Sequence, residues 1–183
     1  MDNRGVSVED ATFEYTGIGC SVPKGVICVQ FREGLQKIED GAFYECTSLK
    51  SVTLPSTVTE IGNYAFSSCS NLREVTLNDG LQKIGTCAFQ YCESLESITL
   101  PSTVTEIGNG AFKSCRNLRE VIFNDGLQKI GEEAFCKCTS LESIKLPSTV
   151  TEIGNYAFSS CSNLKEVTLD EGLKKIGNYA FYN

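Results

Sequence analysis

The sequence contains no histidine and no tryptophan, and it has only one methionine among its 183 residues. Without histidine, neither a Ser-His nor a Cys-His nucleophile pair can form. No phosphate-binding loop or dinucleotide fingerprint precedes a helix of full length. These absences predict a protein that is not an enzyme and that uses no cofactor.

Long apolar runs and positive charge are also scarce. The chain has no stretch of about 18 consecutive apolar residues, and its start, MDNRGVSVED, lacks the basic and apolar segments of a signal peptide. The formal net charge is −7, whereas nucleic-acid binding depends on Lys and Arg. We therefore expect no nucleic-acid or membrane partner, and a cytoplasmic location for the chain as written.

What the sequence does contain is a repeat with a period of 23 residues. Six complete units and a 15-residue partial unit follow one another without a gap. Each unit is too short to bury its apolar face alone, so the units are expected to stack as the coils of a solenoid. A second period of 46 residues distinguishes alternate coils, which read GLQKIG or STVTEIG. The coils begin at Phe31, Leu54, Leu77, Leu100, Phe123, Leu146 and Leu169.

Local patterns predict the elements of one coil. LREVTL, from Leu72 to Leu77, is rich in β-branched residues and indicates a short strand. Pro55 ends the equivalent strand of the preceding coil, and a second extended stretch is expected from Thr57 to Ile61. GNYAFSSC, from Gly62 to Cys69, has apolar residues at helical spacing and predicts one or two helical turns.

The pattern LxxVxLPxxVxxIGxxAFxxCxxL closely resembles the BspA-like, or treponemal-type, leucine-rich-repeat family. The resemblance covers Phe31 to Asn183, and only Glu39 stands where the other coils have glycine. It implies an α/β fold: a right-handed solenoid with a parallel β-sheet on its concave face and short helical turns elsewhere. It also implies a binding surface without catalytic residues.

The chain is expected to divide into two parts. Residues 1–30 have irregular sequence and predict an N-terminal cap with a first strand at about Val26 to Phe31, and residues 31–183 form the solenoid. The last unit ends at NYAFYN before its final strand. One interpretation of this end is an end-to-end homo-oligomer.

Ten cysteines raise the question of a metal or disulfide site. Six of them form one column, which predicts buried free thiols rather than disulfides, and the CxxC spacing of zinc sites is missing. Cys136 is expected to face outward, and no metal site is predicted. The column comprises Cys46, Cys69, Cys92, Cys115, Cys138 and Cys161.

Two further columns carry charge or aromatic rings. One alternates strictly in sign, so stacking places each charge beside two opposite ones, and we expect it to set the register of the coils. The tyrosines near the short-helix segments are expected to pack over the convex edge. The charged column comprises Lys37, Glu60, Lys83, Glu106, Lys129, Glu152 and Lys175.

The outward positions of the predicted strands carry charges of both signs without an aromatic cluster. If a partner binds there, Arg73, Thr99, Arg119 and Ile122 are the predicted contacts. The alternative is a solvated face that pairs its own charges. The whole pattern favours a non-enzymatic scaffold for protein–protein interaction. A second hypothesis is a cell-surface adhesin or glycan-binding module from a longer exported protein.

Overall fold

The computed structural model describes residues 12–183 as a solenoid of parallel strands. The predicted right-handed solenoid of 23-residue coils is confirmed. Residues 1–11 of the predicted cap lie outside the described residues. The division of the chain at residue 30 stays a prediction, although a strand, β2, covers Cys28–Phe31.

Two strands of four residues come first; each of the six complete coils then contributes one strand of two residues and one of three residues, separated by turns, and the partial coil contributes one strand of two residues. The strands are β1 (Thr12–Tyr15), β2 (Cys28–Phe31), β3 (Lys37–Ile38), β4 (Ser51–Thr53), β5 (Glu60–Ile61), β6 (Glu74–Thr76), β7 (Lys83–Ile84), β8 (Ser97–Thr99), β9 (Glu106–Ile107), β10 (Glu120–Ile122), β11 (Lys129–Ile130), β12 (Ser143–Lys145), β13 (Glu152–Ile153), β14 (Glu166–Thr168) and β15 (Lys175–Ile176).

The two strand types form two different surfaces. The two-residue strands β3 to β15 make one continuous seven-stranded sheet, whose outward side we call the ladder face. The three-residue strands make three separate pairs, β4 with β6, β8 with β10 and β12 with β14, and we call their outward side the strand face. The breaks between pairs recur every second coil, so strand pairing follows the 46-residue period of the sequence.

The segment between the two strands of a coil is a series of turns, which we call the turn side. The predicted helical turns are absent, because the described residues contain no helix. Tyr64 and Ser68 have φ angles of 55° and 62°, which interrupt a right-handed helix. The N–H of Phe66 instead donates to Ala88 of the next coil at 2.7 Å. Backbone bonding between coils therefore replaces the helical pattern.

The core lies between these surfaces and consists of stacked columns. One side chain from each of seven coils forms a phenylalanine stack from Phe43 to Phe181, with neighbouring ring centroids 4.9 to 5.4 Å apart. The predicted isoleucine, alanine and leucine columns are also buried along most of their length. Each coil therefore buries its apolar residues against its neighbours, as the short repeat requires.

A glycine column permits the close approach of successive coils beside the ladder face. A Cβ atom added at Gly85 would lie 2.6 Å from the carbonyl carbon of Gly62. Glu39 departs from this column because its neighbour is the side chain of Tyr15 rather than the backbone of another coil. Its N–H donates to the Tyr15 hydroxyl oxygen at 3.0 Å.

Candidate interaction surface

Of the four predicted contact residues, Thr99 and Ile122 lie on the strand face, Arg73 and Arg119 lie at its edge, and all four are exposed. Ile122 stands directly beside Thr99 in the β8–β10 pair, and its side chain is 44% exposed. Arg119 immediately precedes β10 in the same coil. Arg73 immediately precedes β6, on the other side of the break between β6 and β8. The structure thus brings three of the predicted residues together and places the fourth across the break.

A cleft of about 340 Å³ lies at this break. Its lining includes Thr76 of β6, Thr99 of β8 and Asp79 in the following turn. An equivalent cleft of about 430 Å³ includes Lys145 and Asp125, two coils further along the solenoid. The spacing of residues in the sequence did not predict these clefts. The 46-residue period does imply, however, that features of this surface repeat every two coils.

The charges of the strand face are not paired with one another. Within residues 12–183, no ion pair involves Arg73 or Arg119. Glu96 stands beside Arg119 of the following coil, but it makes no ion pair with it. The alternative prediction of a self-paired face therefore does not hold for the described residues. Solvated charges of both signs remain accessible to a partner here.

The ladder face differs because its charges pair internally. Glu60 lies 3.6 Å from Lys37 and 3.0 Å from Lys83, measured between carboxylate oxygen and Nζ. The hydrogen bond from Lys83 is the main cause that lowers the pKa of the Glu60 carboxyl. Glu106 and Lys129 form a similar pair at 2.8 Å. The predicted alternating ladder is confirmed in register, since every Lys of the column stands beside a Glu.

The cysteine column is buried as predicted. Each thiol from Cys69 to Cys161 donates to the carbonyl of the phenylalanine in the preceding coil, with Sγ to O distances of 3.0 to 3.2 Å. Burial raises the pKa of the Cys69 thiol to about 12 and that of Cys92 well above its usual value. Thiols held protonated in this way are poor metal ligands and poor nucleophiles.

All ten cysteines are free in the structure. Cys136, predicted to face outward, lies outside the core cluster that contains Cys138, but it is covered by its neighbours and is only 6% exposed. It follows Phe135 on the turn side, where the equivalent Ser67 and Ser159 are buried as well. Among residues 12–183, no cluster of three or more acidic, cysteine or histidine side chains could hold a metal ion.

The tyrosines of the turn side are more exposed than the sequence predicted. Tyr64 and Tyr91 lack a stacked aromatic neighbour within the described residues, whereas Tyr179 contacts both Tyr156 and Tyr182. This clustering follows from tyrosine at the same coil position in two adjacent coils. The sequence shows that tyrosine recurs at this coil position, but it does not show which rings are in contact.

The described residues include no helix of the length and apolarity needed to cross a bilayer. The family model for the BspA-type leucine-rich repeat region matches residues 24–139 and 82–183, with six copies. No curated protein matches this chain significantly.

Solved structures of bacterial repeat proteins are similar to this chain. A leucine-rich repeat protein of T. pallidum is 34% identical, with a TM-score of 0.79, over 94% of this chain and 81% of that one. A leucine-rich cell surface protein of Faecalibacterium prausnitzii is 38% identical, with a TM-score of 0.73, over 82% of this chain. A Bacteroides ovatus repeat protein is 31% identical, with a TM-score of 0.61, over 80%. This chain spans 39% and 44% of the length of the last two proteins, respectively.

Proposed function

Because the chain belongs to the BspA-type leucine-rich repeat family, we propose that it is a non-enzymatic scaffold that binds a protein through its strand face. Proteins of this repeat type are commonly protein-binding and generally non-catalytic. Repeat solenoids present extended surfaces on which successive coils each contribute contacts.

The observation that carries this proposal is the contrast between the two charged faces. The ladder face neutralises its charges in ion pairs such as Lys83–Glu60, so it offers few free charges to a partner. At the edge of the strand face, Arg73 and Arg119 are exposed and outside the ion pairs of residues 12–183. In the same coil as Arg119, Ile122 supplies an exposed apolar side chain. Arginine together with an exposed apolar residue is a frequent composition of binding hot spots.

Affinity capture from the native source tests the proposal. The immobilised chain is compared with the double variant Arg73→Glu and Arg119→Glu, and bound proteins are identified by mass spectrometry. A matched control, Arg116→Glu with Lys137→Glu, changes the net charge equally at exposed positions of the turn side. We expect a protein that the wild type and the control retain and that the strand-face variant loses. Equal recovery by all three chains contradicts the proposal.

A second candidate function is a cell-surface adhesin. It is favoured by the similarity to the F. prausnitzii protein, which is described as a cell surface protein and is longer than this chain. Antibody labelling of intact cells of the source organism, compared with permeabilised cells, distinguishes this location from the cytoplasm. Labelling only after permeabilisation contradicts the adhesin hypothesis.

A further inference from the structure

The strand face is divided into two-coil units. Within the β4–β6 pair, the N–H of Leu54 donates to the carbonyl oxygen of Thr76 at 3.0 Å. Within residues 12–183, no such bond joins Leu77 to Thr99 across the break between β6 and β8, which we call the first break. The equivalent bond is also absent, in the same range, at the second break, between β10 and β12.

One position of the repeat accounts for this alternation. The fourth residue of a coil is glycine in one coil and threonine in the next. Gly80 lies within a pair, and a Cβ atom added to it would lie 2.8 Å from the carbonyl oxygen of Ser56, so the two turns pack closely there. Thr103 stands at the first break, where its Oγ1 lies 3.1 Å from the carbonyl oxygen of Asp79. A threonine side chain therefore separates the turns at a break.

Asparagine side chains add bonds inside the pairs. The Nδ2 atom of Asn124, which follows β10, donates to the carbonyl oxygen of Leu100, which follows β8, at 2.6 Å. Asn78 donates in the same way to Val58 within the β4–β6 pair, at 3.0 Å. The coils that carry threonine have proline at this position, such as Pro101, and proline has no side-chain donor. These amide bonds join turns within a pair and do not cross a break.

The two breaks are not equivalent. Thr103 and Thr149 lie in identical LPSTVTEIG segments, one at each break. The Thr103 hydroxyl donates across the first break to carbonyl oxygens of the preceding turn, including that of Leu81 at 2.5 Å. Within residues 12–183, the Thr149 hydroxyl makes no such bond. The cleft at the second break is also larger, about 430 Å³ compared with about 340 Å³. Fewer contacts therefore hold the second break closed.

The opposite side of the solenoid is continuous through both breaks. The ladder sheet pairs all seven of its strands. A Cβ atom added at Gly108 would lie 2.6 Å from the carbonyl carbon of Gly85, so this side is closely packed across the first break as well. The phenylalanine rings keep a spacing of 4.9 to 5.4 Å along the whole stack. Movement at a break that keeps these contacts must be a tilt about the ladder sheet.

We propose that the strand face opens at the two breaks, chiefly at the second, as two-coil units tilt about the ladder sheet. Opening at a break costs no hydrogen bond between strands, whereas opening within a pair would break such bonds and leave their donors and acceptors unpaired. The tilt changes the curvature of the strand face, in the manner of a hinge. It is a property of the free chain and does not depend on the protein-binding role proposed above.

Distances between spin labels, measured by pulsed electron paramagnetic resonance in frozen solution, test this hinge whatever the rate of opening. One label pair replaces Arg73 and Lys165 with p-acetylphenylalanine and spans both breaks at the edge of the strand face. The control pair, at Gln82 and Lys174, spans the same number of coils beside the ladder face, and all four positions are exposed. We expect the strand-face distance distribution to be at least about twofold wider than the ladder-face distribution. Equal widths would overturn the proposal.

The two threonines provide matched variants. Thr103→Val removes the hydroxyl that bridges the first break, so it should widen the strand-face distribution further. Thr149→Val removes a hydroxyl that makes no bond across the second break in the described residues, and it should leave the distribution unchanged. The ladder-face distribution should stay the same in both variants. Equal widening by the two substitutions, or equal widening on the two faces, would overturn the assignment of the hinge to the breaks.

Discussion

The hydroxyl oxygen of Tyr15 accepts a hydrogen bond from the backbone N–H of Glu39 at 3.0 Å. In the next coils, the equivalent N–H groups of Gly62 and Gly85 donate to isoleucine carbonyls of the preceding coil. Tyr15 thus provides the acceptor that a preceding coil provides elsewhere. Its buried ring also lies 5.0 Å from that of Phe43, the first member of the phenylalanine stack.

Removing this hydroxyl group should weaken the N-terminal end of the solenoid. Tyr15→Phe keeps the ring but leaves the Glu39 N–H without its acceptor, which we expect to cost about 1–3 kcal/mol of unfolding free energy. Urea denaturation measures the change. Tyr91→Phe removes an exposed hydroxyl and should stay within about 0.5 kcal/mol of wild type. Equal stability of the two variants would show that Tyr15 acts through its ring alone.

The glycine column should be intolerant of even one methyl group. Gly85→Ala forces a Cβ atom against the backbone of Gly62, and we expect it to lower the unfolding free energy by about 1–3 kcal/mol. Gly25→Ala is the control, because no atom lies within 4 Å of its added Cβ and its φ angle is not positive. Thermal unfolding monitored by circular dichroism compares the two. A Gly85→Ala protein as stable as Gly25→Ala would contradict the close packing of coils.

Reversing one charge of the ladder should reduce stability in a salt-dependent manner. Glu60 pairs with lysines on both sides, so Glu60→Lys places three lysines in adjacent coils. We expect a lower Tm at low salt with partial recovery at high salt, since exposed charges are screened. Glu106→Lys should have a smaller effect, because Glu106 has one lysine within 4 Å in the described residues. A Tm of Glu60→Lys that does not depend on salt would contradict an electrostatic contribution of the ladder to stability.

The cysteine column should make the protein sensitive to alkali. Burial raises the pKa of the Cys92 thiol, so the folded chain holds this proton more tightly than the unfolded chain. The stabilisation from the protonated Cys92 thiol is complete below about pH 8.5, the pKa of a cysteine in the unfolded chain. It is lost as the pH rises towards the higher pKa of this thiol in the folded chain. Urea midpoints at rising pH should therefore fall less for Cys92→Ala than for wild type.

Cys28→Ala is the control for this pH dependence, since Cys28 is exposed. Its urea midpoints should fall with pH as those of the wild type do. In the native protein at pH 8, a thiol reagent should modify Cys28 and leave the six column thiols unmodified, whereas the denatured, non-reduced protein should show ten free thiols. Rapid modification of the column in the native state would contradict its burial.

Much of this fold could be predicted from spacing alone. A strict 23-residue period places each residue beside its equivalent in the next coil, so the columns that include Ile61, Phe66 and Cys69 imply a shared core. The charge ladder follows from the same translation, because Lys83 must stand beside Glu60. For the candidate interaction surface, the period indicated which side chains face outward. It did not indicate that strand pairing breaks between β6 and β8.

The sequence by itself determined the solenoid, the buried columns and the register, because a repeat imposes one translation on all of its positions. Features that depend on local backbone φ angles, or on a contact made by a residue outside the repeat, were determined only by the tertiary structure. Left-handed residues such as Tyr64 replaced the predicted helix. Tyr15 meets Glu39 only after chain folding brings together two residues that lie 24 positions apart. Periodicity specifies which residues are neighbours, but local φ angles and non-repeated contacts determine where their side chains point.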